Sequence, residues 1–131
     1  MSDNPEQDQL ATDKIALRAS QAGMRFIAQT HIYNGSNWER MTQFITDSYS
    51  EALLEDQPIE GRLQMFKTTQ EKIGRLKVKQ VVGTHEERVV VVVETETGEH
   101  PYFLVDLAVE EDYPHKIIAY SQQPLEPNAD S

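Results

Sequence analysis

"EERVVVVVETETGEHPYFLVDLAV", Glu86 to Val109, carries five consecutive valines, Val89 to Val93, in a chain whose formal net charge is −10. Successive side chains of a strand point to opposite faces, so an unbroken apolar run predicts a strand covered on both sides. A second apolar run, Tyr102 to Val109, follows Thr97-Gly98, and the two read as a hairpin. A two-residue loop would set Glu96 against Glu99, which opposes like charges and lacks the preferred Asn-Gly or Asp-Gly turn. A three-residue loop, Glu96-Thr97-Gly98 with Gly98 in a positive-φ bulge position, instead pairs Glu94 with His100, Val92 with Tyr102, Val90 with Leu104 and Arg88 with Asp106. We take this second register because it matches charge with charge and apolar with apolar. It puts Val89, Val91 and Val93 on one face with Phe103, Val105 and Leu107, to pack on helices. Val90, Val92, Tyr102 and Leu104 share the other face, an apolar patch with a charged rim that predicts a homodimer built sheet to sheet.

Two further strands flank the hairpin. "RLKVKQVV" alternates Leu76 and Val78 against Lys77 and Lys79, and "HKIIAYSQ" follows the acidic loop Glu110 to Pro114. Short connections make the four an antiparallel meander. Ahead of Gly74 the apolar period is helical. Ile15, Ala19, Ala22 and Phe26, with Ala16, Gly23 and Ile27, predict one long helix from Thr12 to a stop at Asn34-Gly35. Ser36 and Glu39 read as a capping box opening a second helix with Trp38, Met41, Phe44 and Ile45 inward. After a break around "TDSYS" and a short turn through Ala52 to Leu54, Pro58 opens a third helix. Ile59, Leu63, Phe66 and Ile73 line that helix, Lys72 favours its negative end, and Gly74 caps it. The expectation is an α+β domain over residues 11–124, N-terminal helices packed on a curved four-stranded antiparallel sheet. Residues 1–10 and 125–131 are expected to be disordered tails.

Acidic residues outnumber basic ones 22 to 12 and no basic stripe is present, which argues against nucleic acid and anionic membranes as partners. No cysteine is present, so disulfides, thiolate metal sites and cysteine nucleophiles are excluded. The first residues carry no leader pattern and no apolar run approaches the roughly 20 residues of a membrane span, so a cytoplasmic protein is expected.

The order of three helices and then a meander, led in by "FIAQTHIYNGSNWERMTQFI", resembles the nuclear-transport-factor-two-like, or cystatin-like, superfamily. More narrowly, "PIEGRLQMFKTTQEKIGRLKV" and "YFLVDLAVEEDYPHKIIAYSQQPLEP" look like a small domain found beside serine hydrolase and C-terminal-processing-protease-like domains. There the pattern is an arginine-leucine pair, here Arg62 and Leu63, and a Pro-His-Lys-Ile element, here Pro114 to Ile117. The resemblance implies a sheet wrapped round a helix with a conical pocket between them, and an accessory or ligand-binding role.

The pocket that the resemblance implies, and the polar residues set among apolar ones, supply the candidate site residues. Phe26, His31, Tyr33, Trp38, Phe66 and Phe103 are the expected pocket lining, suited to a small apolar ligand. His31 also favours the negative end of its helix dipole, and the aromatics also suit a core. Asp106, a carboxylate within "YFLVDLAV", must be paired or neutralised if buried. Superfamily enzymes resembling ketosteroid isomerase or polyketide cyclases use such an aspartate or histidine as a general base, which makes Asp106 and His31 the catalytic candidates. Pairing with Arg88 explains Asp106 more simply. Glu110, Glu111, Asp112 and His115, and His85-Glu86-Glu87, match no metal spacing, so no metal or cofactor is expected. The reading is a non-catalytic ligand-binding or accessory module, dimeric through its sheet; the alternative is a small pocket enzyme with Asp106 or His31 as base.

Overall fold

The computed structural model describes residues 5–125, and its elements change from helix to strand at Gly74. Before that residue stand α1 (Pro5–Arg18), α2 (Gln21–Asn34), α3 (Trp38–Ser48), α4 (Glu51–Asp56) and α5 (Ile59–Ile73). After it come β1 (Leu76–Thr84), β2 (Arg88–Thr95), β3 (Tyr102–Val109) and β4 (Ile117–Pro124), which form one antiparallel sheet in the order β1-β2-β3-β4. The architecture is therefore the expected α+β arrangement, and the sheet is not closed into a barrel. Extra residues bulge into both edge strands, Lys79 and Val82 in β1 and Ile118 in β4, and bulges of this kind bend a strand.

The valine run divides as expected. Val89, Val91 and Val93 are wholly buried against the helices with Val105 and Leu107, while Val90 and Val92 are half-buried on the opposite face. The register itself is displaced by two residues: Arg88 lies opposite Ala108, Val90 opposite Asp106, Val92 opposite Leu104 and Glu94 opposite Tyr102. A shift of two preserves which face each residue occupies, because the side-chain period is two. The tight three-residue turn does not form, because the loop docks on the end of α5 instead. Glu96 and Thr97 both donate their backbone N–H to the Ile73 carbonyl, at 3.0 and 3.1 Å, and Thr95 closes the ladder by donating to Pro101 at 2.9 Å. Gly98 does adopt the expected positive φ, 100°, with the Lys72 carbonyl 3.2 Å from where a Cβ would stand. Carbonyls at a helix end lack intrahelical partners, and this loop supplies them.

The long first helix is in fact two. Pro5 to Leu10, expected as tail, belong to α1, and the residues before Pro5 and after Leu125 lie outside the described residues. The chain breaks at Ala19-Ser20, where the Ser20 hydroxyl caps α2 by accepting from Gly23 N at 2.9 Å. This turns α1 onto the β1 edge, where Asp13 accepts from Val81 N at 3.2 Å, and leaves Leu17 rather than the exposed Ile15 in the core. At the other end of α2 the stop falls at Gly35 as expected, but Ser36 takes the positive φ, 53°, and Asn37 rather than Ser36 caps α3 by accepting from Arg40 N. The Ser36 hydroxyl is used elsewhere, donating to Gln70 at 2.8 Å. Tyr33 and Asn34 then fasten α2 to the helix-to-strand junction: the Tyr33 hydroxyl donates to Gly74 O at 2.7 Å, and the Asn34 amide exchanges two 2.8 Å bonds with the Leu76 backbone.

Arg75 and Glu96 brace the same corner. The Glu96 carboxylate accepts from the Arg75 guanidinium and from Arg75 N, each at 2.7 Å, and the guanidinium bond foremost holds the carboxyl down to about 2. A carboxyl lowered below its unfolded value of about 4.3 contributes stability that is present above that value and is lost as pH falls through the folded one. Glu96→Gln is expected to flatten the acid limb of stability between about pH 4 and pH 2 relative to the parent protein. Urea midpoints followed across that range check it, and parallel limbs would show that Glu96 carries none of the acid sensitivity.

Candidate functional site

One open cleft of this domain lies between α5 and the C-terminal half of the sheet, and another lies beside Asn34, Arg75 and Glu96. Face-setting periodicity puts Arg62, Met65, Thr69, Lys72 and Ile73 of α5 along one wall, at spacings of three and four. Phe103 of β3 and Tyr120 and Gln122 of β4 make the facing wall, with Gln57 closing the end next to α4. The cleft encloses about 300 Å³. Its floor is apolar, through Met65, Ile73, Phe103 and the Tyr120 ring, and its polar groups are carried by α5, by β4 and by Gln57 just after α4.

Arg62 is the unusual member of this wall. It sits on the face of α5 that carries Phe66 and Ile73, and only 5% of its surface is exposed. Its Nε donates to Gln57 O at 2.8 Å and its Nη2 to Leu53 O at 2.7 Å, which satisfies carbonyls at the end of the short helix α4. The guanidinium carbon lies 5.1 Å from the centroid of the buried Tyr49 ring, a cation–π contact. No carboxylate pairs with Arg62 among the described residues.

Behind the cleft, Tyr49 donates its hydroxyl to the buried Gln29, and Tyr120 donates to Gln122 at 3.0 Å. Burial raises the phenol pKa values of Tyr33, Tyr49 and Tyr120 well above the ordinary tyrosine value. All three are neutral phenols near neutral pH, and since Tyr120 is the one among them that lines the cleft, this wall offers no phenolate base.

Of the expected pocket residues, only Phe103 lines this space. Phe26, Tyr33 and Phe66 are each 2% exposed within the core. Tyr33 meets Trp38 and Phe66 edge to face at 6.4 and 6.3 Å, so the aromatic rings fill the volume they were expected to surround. His31 is exposed on α2. Asp106 faces away from the helices and accepts from Arg88 Nε at 2.9 Å across the diagonal of the hairpin. The Arg88 hydrogen bonds hold its carboxyl below the usual aspartate value, the reverse of the raised pKa that a general base near neutral pH needs. In the 110–116 loop Glu110 accepts from Lys116 N at 3.0 Å and thereby braces the turn into β4.

Arg62, Lys72 and Tyr120 did not stand out as site residues in the sequence. Arg62 had a legible signal: it falls on the buried stripe of α5, four residues before Phe66, where a cation is out of place. Tyr120 and Gln122 had none, because only the pairing of β4 with β3 brings them opposite α5. Comparison with protein-family models, with curated proteins and with solved structures returned no match, so the chemistry of this cleft is what bears on function.

Proposed function

We propose that the domain is a non-catalytic binding module that holds a small, partly apolar ligand between α5 and the β3–β4 half of the sheet. The observation that carries this reading is the cleft: an apolar floor with a few polar groups is the usual composition of a small-molecule site. Its volume, at the lower end of the range for such sites, sets the size of the ligand. The accessory role implied by the resemblance to domains that flank serine hydrolases agrees with this reading. The alternative of a pocket enzyme draws no support from Asp106 or His31, neither of which lines the cleft.

A second copy of the chain is the occupant we propose for the back of the sheet. Val90, Val92, Tyr102 and Leu104 lie there half-buried, on the side away from the helices. By the strand register the same face carries Lys77 and Arg88 against Glu94 and Asp106, with Lys79 exposed in the adjoining bulge, so its charges nearly cancel. Two chains each of net charge −10 repel one another least where such a nearly neutral surface meets its own copy.

Native mass spectrometry on freshly purified protein tests both statements. The expected spectrum shows a mass of two chains with a small molecule that leaves on denaturation, and loss of that molecule in Thr69→Trp, which fills the half-open wall. Bare chains in every preparation, or a ligand retained despite Thr69→Trp, would remove the cleft as the site. A one-chain mass at micromolar concentration would remove the sheet dimer.

A further inference from the structure

We infer that the cleft selects a monocarboxylate carried on an apolar body, with Arg62 as its anion-recognising group and Lys72 as a second positive charge on the same wall. This rests on the binding reading above and adds the chemical class of the ligand.

The charge distribution points this way. The chain has 22 acidic and 12 basic residues, yet two basic residues and no acidic one line the cleft. A wall drawn from this composition would on average carry nearly two acidic residues for each basic one. The bias therefore opposes the overall field of the protein at one place, and that place is concave.

The state of Arg62 points the same way. Two backbone carbonyls engage its Nε and Nη2, but they leave the positive charge without an ionic partner among the described residues. Its Nη1 has no hydrogen bond among those residues, and no fully buried side-chain nitrogen or oxygen among them lacks a partner. Nη1 therefore keeps accessible surface, and Arg62 lines the cleft. A cation taken almost entirely out of water is costly unless a counter-charge reaches it. The carbonyls and the Tyr49 ring offset part of that cost, and a carboxylate entering the cleft would offset more. Satisfying the end of α4 uses two of the five guanidinium donors, so the structural role leaves donors to spare.

The remaining lining narrows the class. Lys72 lies ten residues, about 15 Å, further along α5 on the same wall and adds positive charge at the other end of the cleft, while Gln57, Thr69 and Gln122 supply neutral polar contacts. One accessible guanidinium nitrogen suits a single carboxylate better than a multiply charged phosphate. Met65, Ile73 and Phe103 demand an apolar remainder.

Titration calorimetry of the full chain with octanoate, its neutral analogue octanamide, and inorganic phosphate tests the inference. Octanoate is expected to bind at least about tenfold more tightly than octanamide, since charge-assisted bonds are roughly twice as strong as neutral ones. Phosphate is expected not to compete. Lys72→Gln, a change at an exposed side chain, is expected to weaken octanoate about threefold and leave octanamide unaffected. Arg62→Gln is expected to remove the preference for octanoate; because it also frees the Leu53 and Gln57 carbonyls, it is read alongside the Lys72 variant. Equal affinity for octanoate and octanamide, or no effect of Lys72→Gln, would overturn the anion assignment while leaving a binding cleft. Phosphate binding as tight as octanoate would overturn the monocarboxylate class. Failure of all three probes would overturn the inference, and the retained small molecule in the native spectrum then decides separately whether the binding reading stands.

Discussion

Val91→Asp is expected to unfold the domain, and Val92→Asp, one residue along the same strand, to leave it folded. Val91 has no exposed surface and faces Val105 across the ladder, beneath the helices. A carboxylate there has no partner and no water, and an unpaired buried charge costs more than about 4 kcal/mol, against a total stability on the order of 5–15 kcal/mol. Val92 points to the back of the sheet opposite Leu104, where the new carboxylate reaches solvent. There the cost is about 1 kcal/mol, the span of strand propensity. Far-UV circular dichroism with urea titration of the two variants separates these outcomes, and comparable losses at both positions would mean that the faces of β2 are misassigned. Mass measurement on Val92→Asp adds a second readout: on the dimer reading it becomes a single chain while remaining folded.

Gly23→Ala is the other large effect, and its sign runs against ordinary helix propensity. Alanine in place of glycine inside a helix normally stabilises by about 0.5–1 kcal/mol. At Gly23 an added Cβ would stand 1.9 Å from the Leu17 carbonyl oxygen, 2.7 Å from its carbon and 2.8 Å from the Ser20 hydroxyl. The first two are backbone atoms of the turn between α1 and α2, so relief requires the helices to separate. That movement would also strain the Ser20 cap and the bond from Ala22 N to Glu86 O, which ties this turn to the β1–β2 loop. A loss of about 2–4 kcal/mol is expected, in the range of the larger single-residue effects. Gly61→Ala on α5 is the matched control, since its Cβ would meet only the flexible Gln57 side chain at 3.4 Å; it is expected to stabilise by about 0.5–1 kcal/mol. Urea midpoints that moved in the same direction for both variants would show that the close approach at Gly23 relaxes without cost.

These two residues mark how far the sequence could be read. The assignment of Val89, Val91 and Val93 to the core survived a register displaced by two residues because face is a matter of parity, and parity is local to the strand. The register was not local. It depends on the Ile73 carbonyl and Arg75 waiting at the end of α5, and nothing in "ETETGEH" announces that the loop will bond to a helix rather than to itself. The break at Ser20 was hidden for a related reason. Apolar spacing runs through it without interruption, and its need becomes visible only when Gly23 is seen against the Leu17 carbonyl and α1 against the edge of β1.

The candidate site divides in the same way. Arg62 on an apolar helix stripe was legible as an anomaly, whereas Lys72 was accounted for by the helix dipole alone. The aromatic residues were legible as apolar, but whether Phe26, Tyr33 and Phe66 line a space or fill it depends on interdigitation across three elements. By itself the sequence determined the order of helices followed by a meander, the cap at Gly74 and the side on which each central valine lies, since each follows from the period or stereochemistry of a few neighbouring residues. Only the tertiary structure decided the register, the division of the first helix and the cleft that joins Arg62 to Phe103 and Gln122, because each requires groups distant in the chain to satisfy one another's backbone, charge or volume.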